Sequence, residues 1–326
     1  MWGDVKSVYN EPIFLKPVFK DRIWGGTKLR DEFGYEIPTE TTGECWGISA
    51  HSHGPSEVGN GPLKGETLNS VWDKHRELFA DQQGEDFPLL VKILDAKTDL
   101  SVQVHPNDSY AREVEGEAFG KTECWYVIDC EPGAELVYGH HAGSMLQFEE
   151  MVNENRWEEL LRKVAIKPGD FVYVPNGTIH AIGAGTMILE TQQSSDVTYR
   201  VYDYDRRDDE GNLRELHIEK SIEVAMIPHE DADFEPVLSG NEDLRIKKLV
   251  QESYFTVYHW NLAGNVSDVE NPSYLLVSVL DGEGELNVEG GMTSTFRKGD
   301  HFIVPSTVKS FGMNGDARFI VSHPTI

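Results

Sequence analysis

Positive charge is scarce in this chain. Lys and Arg number 29 against 56 Asp and Glu, a formal charge of −27. So acidic a surface repels nucleic acid and anionic membrane, which argues against both as partners. It repels an anionic small molecule too, so a phosphate site here needs cations of its own. Cysteine is nearly as scarce. Cys45, Cys124 and Cys130 are odd in number and scattered, which argues against a disulfide framework and for the reducing cytoplasm. No apolar run approaches the roughly 18 residues a membrane span needs. The N-terminal MWGDVKSVYNEPIFLKP lacks the charged-then-apolar order of a secretory leader. What remains is a globular chain of 326 residues, long enough for one large domain or two ordinary ones.

Helical periodicity is confined to a few stretches. Residues 67–80 (TLNSVWDKHRELFA) place Leu68, Val71, Trp72, His75 and Leu78 at helical spacing behind a possible cap at Thr67. Residues 107–116 predict a short helix, and 144–164 (SMLQFEEMVNENRWEELLRKV) a helical insertion. Between them lie strand runs at 89–96, 100–106, 122–130, 134–139 and 187–195, and a strand–turn–strand at 167–183. From about residue 240 onward the pattern is short strands.

One internal repeat organises these runs. KPGDFVYVP (167–175) recurs as RKGDHFIVP (297–305), and upstream YVIDCEPGAEL (126–136) recurs loosely as SVLDGEGEL (278–286). Two blocks in the same order point to duplication. The expected fold is mainly β, with two related jelly-roll β-barrels at about 85–200 and 245–326 and helical insertions. The division drawn from this is a metal-binding domain at 1–240 and a second, metal-free β domain at 241–326. The stretch between the barrels reads as a linker or lid.

Gln103 and His105 are two residues apart on a predicted strand, so they share a face. Glu123 sits on the next β segment, and His180 follows the Pro-Asn-Gly-Thr turn on a later strand. In a small barrel such inward side chains converge. Two imidazoles, a carboxylate and an amide suit zinc or another borderline divalent ion. So few protein ligands leave a position open for water or substrate, which favours catalysis. The repeat supplies a control. Superposing the Gly-Asp turns puts Ser310 where His180 lies, and superposing the upstream blocks puts Leu275 where Glu123 lies. The second unit therefore reads as structural, as an oligomerisation surface, or as one wall of the cleft.

At these residues the sequence resembles the short bacterial form of the type I mannose-6-phosphate isomerases. The similarity is carried by RIWGG (22–26), GECWGISAH (43–51), PLLVKIL (88–94), LSVQVHP (100–106), GKTECWYV (120–127), PNGTIHAIG (175–183), LETQQSSDVTYRVYDYDR (189–206) and LHIEKSI (216–222). The resemblance implies a zinc enzyme of the cupin superfamily that interconverts mannose 6-phosphate and fructose 6-phosphate through an enediol(ate). It implies one zinc per chain, with ligands at Gln103, His105, Glu123 and His180, and a catalytic arginine at Arg200. Longer members carry a His where this chain has Gly120, so any proton transfer by that His falls to another group here.

Other residues fit the same chemistry. Arg200 is a fixed planar cation, able to stabilise an oxyanion, clamp an anionic group or pair with surface carboxylates. Glu190 and Asp196 are candidate general bases, because a carboxylate facing an apolar interior has a raised pKa. Glu190 is preferred, and orienting a neighbour is its other reading. Lys121 shares a face with Glu123 and reaches the metal. Lys92, inside an apolar run, needs a buried anion as partner. Trp24 and Trp46 either wall the pocket or fill core. Arg206 and Arg207 read as surface residues within possible reach of phosphate. The expected partner is thus a small sugar phosphate, bound by a monomer or homodimer. The competing readings are a metal-dependent cupin oxygenase and a sugar-binding cupin without turnover.

Overall fold

The computed structural model describes residues 10–207 and 210–325, so much of the N-terminal stretch read for a leader lies outside the described residues. The chain is mainly β. Its strands form sheets of nine, six and five strands.

The six-stranded sheet explains the apolar run at 89–96. Strand Leu89–Ala96 lies inside the sheet, paired with Thr186–Gln193 on one side and Thr42–Ile48 on the other, and all eight of its residues are buried. Alternation then sorts its side chains. Leu89, Val91 and Ile93 join the core against the C-terminal sheet, while Leu94 and Ala96 join the core beneath the five-stranded sheet. Lys92 falls on the second face. The same period of two runs through Glu123–Cys130, which sends Trp125 and Val127 to that face and Cys124 to the other.

The five-stranded sheet runs Tyr199–Tyr202, Val102–Val104, His180–Ile182, Glu135–His140, Leu161–Ala165. It covers the six-stranded sheet through Leu136, Tyr138 and Ile182, which meet Trp24, Leu94 and Trp125. The result is a jelly-roll-like sandwich. The expected barrels do not close by hydrogen bonding, because every sheet has an open strand order.

The nine-stranded sheet contains three long strands, Phe255–Glu270, Leu275–Val288 and Ser310–Pro324, where short strands were expected. Register shifts at Val266/Val269 and Val279/Asp281 interrupt them. Such irregularities bend a long strand, and the sheet curls around Trp260, Val279, Phe296, Phe302 and Phe319. It also recruits the start of the chain. Strand Ile13–Lys16 pairs with His301–Val304, and Glu57–Val58 pairs with Ile13–Lys16.

Two helix readings need correction. Residues 144–164 hold helices Met145–Asn153 and Trp157–Leu160, but Leu161–Ala165 is a strand on the edge of the five-stranded sheet. Its pairing with Glu135–His140, rather than any alternation in Leu-Arg-Lys-Val, makes it a strand. The 67–80 helix stops at Lys74 and continues as a 3-10 turn, Arg76–Phe79. The stretch after Tyr202 is anchored, since partly buried Ile218, Ile222 and Val224 of helix Ile218–Val224 pack on the core formed by Tyr199 and Val201.

Candidate metal centre and active site

His105 lies just past strand Val102–Val104, ended by Pro106. His180 opens its strand in register with Gln103, and Glu123 opens the strand beside Thr186–Gln193. Sequence-distant positions thus meet at one end of the sandwich. His105 Nε2 is 3.5 Å from Glu123 Oε2, and His180 Nε2 is 3.3 Å from Oε1. The three ligand atoms lie within 4.8 Å of one another, the one such cluster of His, Cys, Asp and Glu among the described residues.

The outer atoms fix the tautomers. His105 Nδ1 is 2.9 Å from the Val197 carbonyl, and His180 Nδ1 is 2.8 Å from that of Thr178. A carbonyl only accepts, so each Nδ1 carries the proton and each Nε2 keeps its lone pair for the centre. Burial pushes the His105 imidazole down to about 3, with Lys121 adding to the effect, and burial also lowers His180. Burial alone would raise the Glu123 carboxyl, but the charge of Lys121 and contact with His105 outweigh it and hold the group well below the usual range. Both Glu123 oxygens are fully buried, and Lys121 is the one cation beside them, at Oε2. A buried, ionised carboxylate facing two neutral imidazoles is a fitting donor set for a divalent cation. The Gln103 amide reaches within 3.3 Å of His180 Nε2. Turned about its last torsion, it aims its oxygen at the same point.

A cavity of about 390 Å³ lies beside this triad and meets it through Gln103 and Lys121, while His105, Glu123 and His180 stay outside its wall. Gln103, Lys121, Lys92, Glu190, Asp196, Trp24 and Arg200 all line it. Lys121 Nζ is 2.9 Å from Glu123 Oε2 and 3.1 Å from His105 Nε2. Lys92 Nζ faces Glu190 Oε1 at 3.4 Å, the buried anion its position demands, and Glu190 Oε2 accepts from the Trp125 indole at 3.1 Å. The two candidate bases differ. Burial, with the charge of Glu123, raises Glu190. Burial raises Asp196 as well, but Lys92 and a hydrogen bond from His53 outweigh it, so Asp196 is lowered.

Comparison with known proteins decides the family. Residues 13–156 match phosphomannose isomerase type I, catalytic domain, and residues 245–324 match mannose-6-phosphate isomerase, cupin domain. A mannose-6-phosphate isomerase of Bacillus subtilis is 53% identical over 96% of this chain and 99% of its own. One from Streptococcus mutans is 53% identical over 96% and 98%. The chain belongs to the type I phosphomannose isomerases. A crystal structure of the mannose 6-phosphate isomerase from Bacillus subtilis superposes with a TM-score of 0.93 at 52% identity, covering 96% of this chain and 99% of that one. A phosphomannose isomerase from Salmonella typhimurium shares the fold at a TM-score of 0.75 and 14% identity, covering 97% of this chain and 100% of that one.

Other sequence candidates sit differently in this phosphomannose isomerase. Trp46 does not line the cavity. It is 1% exposed, and its indole donates to Glu44 at 2.6 Å. Arg206 is bound to Asp203 and the Asp99 carbonyl, and Arg207 to the Gly211 carbonyl. At Gly120 a Cβ would lie 2.5 Å from backbone atoms of Pro106 and Asn107. A side chain there needs a different backbone.

The cavity also takes residues that sequence reasoning missed: Arg22, Glu44, Ser101, Thr198 and Arg214. Arg22 grips Glu44 with both ends of its guanidinium, at 2.9 and 3.0 Å. Glu44 stood within the GECWG stretch as the sole acid of an otherwise uncharged run, a usable signal. Arg214 stood among the charges of RRDDEGNLREL and gave none.

Proposed function

We propose that this enzyme is a zinc-dependent aldose–ketose isomerase that interconverts mannose 6-phosphate and fructose 6-phosphate through an enediol(ate). The observation that carries the reading is the buried triad with both Nε2 lone pairs and both carboxylate oxygens turned inward. His105, Glu123 and His180 hold the ion, with Gln103 as fourth ligand, and the donor set suits zinc. Zinc so held supplies a Lewis acid for the sugar carbonyl and for the negative charge that develops on it.

The protein side chains do the rest. Glu190 is the base that moves the proton between C2 and C1, since a raised carboxyl pKa suits proton transfer near neutrality. Asp196 is the second candidate. Lys121, beside the ligands, donates to a substrate oxygen and helps shift the proton between O1 and O2. Lys92 keeps Glu190 oriented and contacts substrate. Arg200 stabilises negative charge on the sugar phosphate, and Trp24 walls the cavity. Residues 1–240 form the catalytic unit, and 241–326 a metal-free domain. The three cysteines are free thiols, which fits a cytoplasmic monomer or homodimer.

The test is direct. Metal-stripped protein should form no fructose 6-phosphate from mannose 6-phosphate, and zinc should restore it. Metal-replete protein that forms none refutes the reading. Oxygen uptake by an iron-loaded form would favour an oxygenase.

A further inference from the structure

The cations around the cavity are matched by carboxylates at one end and not at the other. At the first end each cation has its anion: Lys121 with Glu123, Lys92 with Glu190, Arg22 with Glu44. Asp196 faces His53 at 3.3 Å. At the Arg200 end three guanidiniums stand near one carboxylate, Asp203. Buried Asp203 binds both Arg206 and Arg214. Arg200 makes no ion pair among the described residues, and its Nη1 donates to the backbone carbonyl of Glu215 at 2.7 Å. The Glu215 carboxylate itself is 83% exposed. Three guanidiniums against one carboxylate leave a local surplus of two positive charges, of which Asp196 on the cavity wall offsets one, in a protein whose net charge is −27. A phosphate monoester carries about −1.5 to −2 at neutral pH.

The geometry of the surplus is specific. Arg214 presents one edge to Asp203, with Nε 2.6 Å from Oδ2 and Nη2 2.5 Å from Oδ1. Its Nη1 stays outside that pair, and the residue lines the cavity with Arg200. Arg206, tied to the same Asp203, is not in the cavity wall. Arg200 Nε is buried without a hydrogen-bond partner. A bridge between Arg207 and Leu213 closes the loop that returns Arg214 to Asp203. A planar fork held along one edge is pre-organised to meet a tetrahedral anion with the other.

We propose that Arg214 and Arg200 form the phosphate anchor of the cavity, with Asp203 as the positioning residue that holds Arg214 edge-on. The anchor rests on a sugar phosphate being the substrate. It puts the phosphate at the Arg200 end and leaves the carbonyl end of the sugar for the metal centre.

The test uses the full-length, metal-replete chain and inorganic phosphate as probe. Phosphate should bind the wild-type chain, read by titration calorimetry, and compete with mannose 6-phosphate. Arg214→Gln is expected to weaken phosphate binding about tenfold to a hundredfold and to raise KM similarly, as loss of a charged hydrogen bond does. Its kcat should change by less than about threefold and its metal content not at all. Arg214→Lys keeps the charge without the fork and should fall between the two. If Arg214→Gln does not fold, Arg214→Lys carries the test. Phosphate affinity unchanged in whichever variant folds, or a fall in kcat with KM unchanged, overturns the proposal. Wild-type protein that binds phosphate through Arg214 but makes no fructose 6-phosphate refutes the isomerase reading and leaves the anchor standing.

Discussion

The two halves of this protein build one turn and fill it differently. In the first, Asp170 accepts from the Lys167 backbone N–H at 2.9 Å; in the second, Asp300 accepts from that of Arg297 at 2.8 Å. Each turn leads into a four-residue strand, Phe171–Val174 and His301–Val304. Beyond that the chemistry diverges. The first half turns Glu123 and His180 toward each other and toward His105 in a buried polar cluster. The second has Leu275 in an apolar core with Val277 and Phe302, and Ser310 half-buried at the start of a long strand. The one buried histidine near its turn, His301, is held by Ser278 at 2.8 Å and Tyr35 at 3.0 Å. A shared scaffold therefore says little about chemistry; a few inward positions decide it.

Substitutions can break that contrast. The largest effect is expected from His180→Ala, which should lose the metal and at least about a thousandfold in activity while keeping its far-UV spectrum, since only one ligand is removed. A full complement of metal in that variant contradicts the ligand assignment. Next comes Glu190→Gln, with kcat down about a hundredfold to ten-thousandfold. Its pH profile sharpens the choice of base. A base must be ionised, so activity falls as pH drops through its pKa. Because Glu190 is raised and Asp196 lowered, the acid limb should lie above the usual carboxylate range and vanish in Glu190→Gln. An unmoved limb assigns the base elsewhere.

A different kind of effect is expected in the second half. Phe302→Ala should cost about 3–5 kcal/mol of stability, read as a lower melting temperature, with the metal-to-protein ratio of the folded fraction unchanged. Loss of metal from that folded fraction would tie the two halves more closely than their cores suggest. The smallest effect belongs to Ser310→His, which should change stability by less than about 1 kcal/mol and add no second metal equivalent. A second equivalent would show a latent site in the C-terminal sheet.

How much of this was legible depends on the range of the interaction. The strand at 89–96 and the partner-seeking Lys92 followed from composition and period alone, because every position of an inner strand is buried. His105, Glu123 and His180 could be picked out because ligand chemistry restricts residue type and alternation restricts facing. Leu161–Ala165 was misread because its edge pairing with Glu135–His140 is set by a neighbour rather than by its own residues. The long C-terminal strands were misread because the bulges that bend them are visible only against their partners.

Positive charge, the scarcest resource of the chain, shows where the division falls. The sequence by itself determined that the protein is acidic, that a phosphate site must import local cations, and which residue types could hold a metal. Tertiary structure alone decided which cations face the cavity. Arg206 and Arg214 both reach Asp203, yet only Arg214 turns into the cavity beside Arg200. The physical reason is that charge counts are additive along a chain, whereas pairing and burial depend on contacts between distant segments, and those decide which charges are left over to bind.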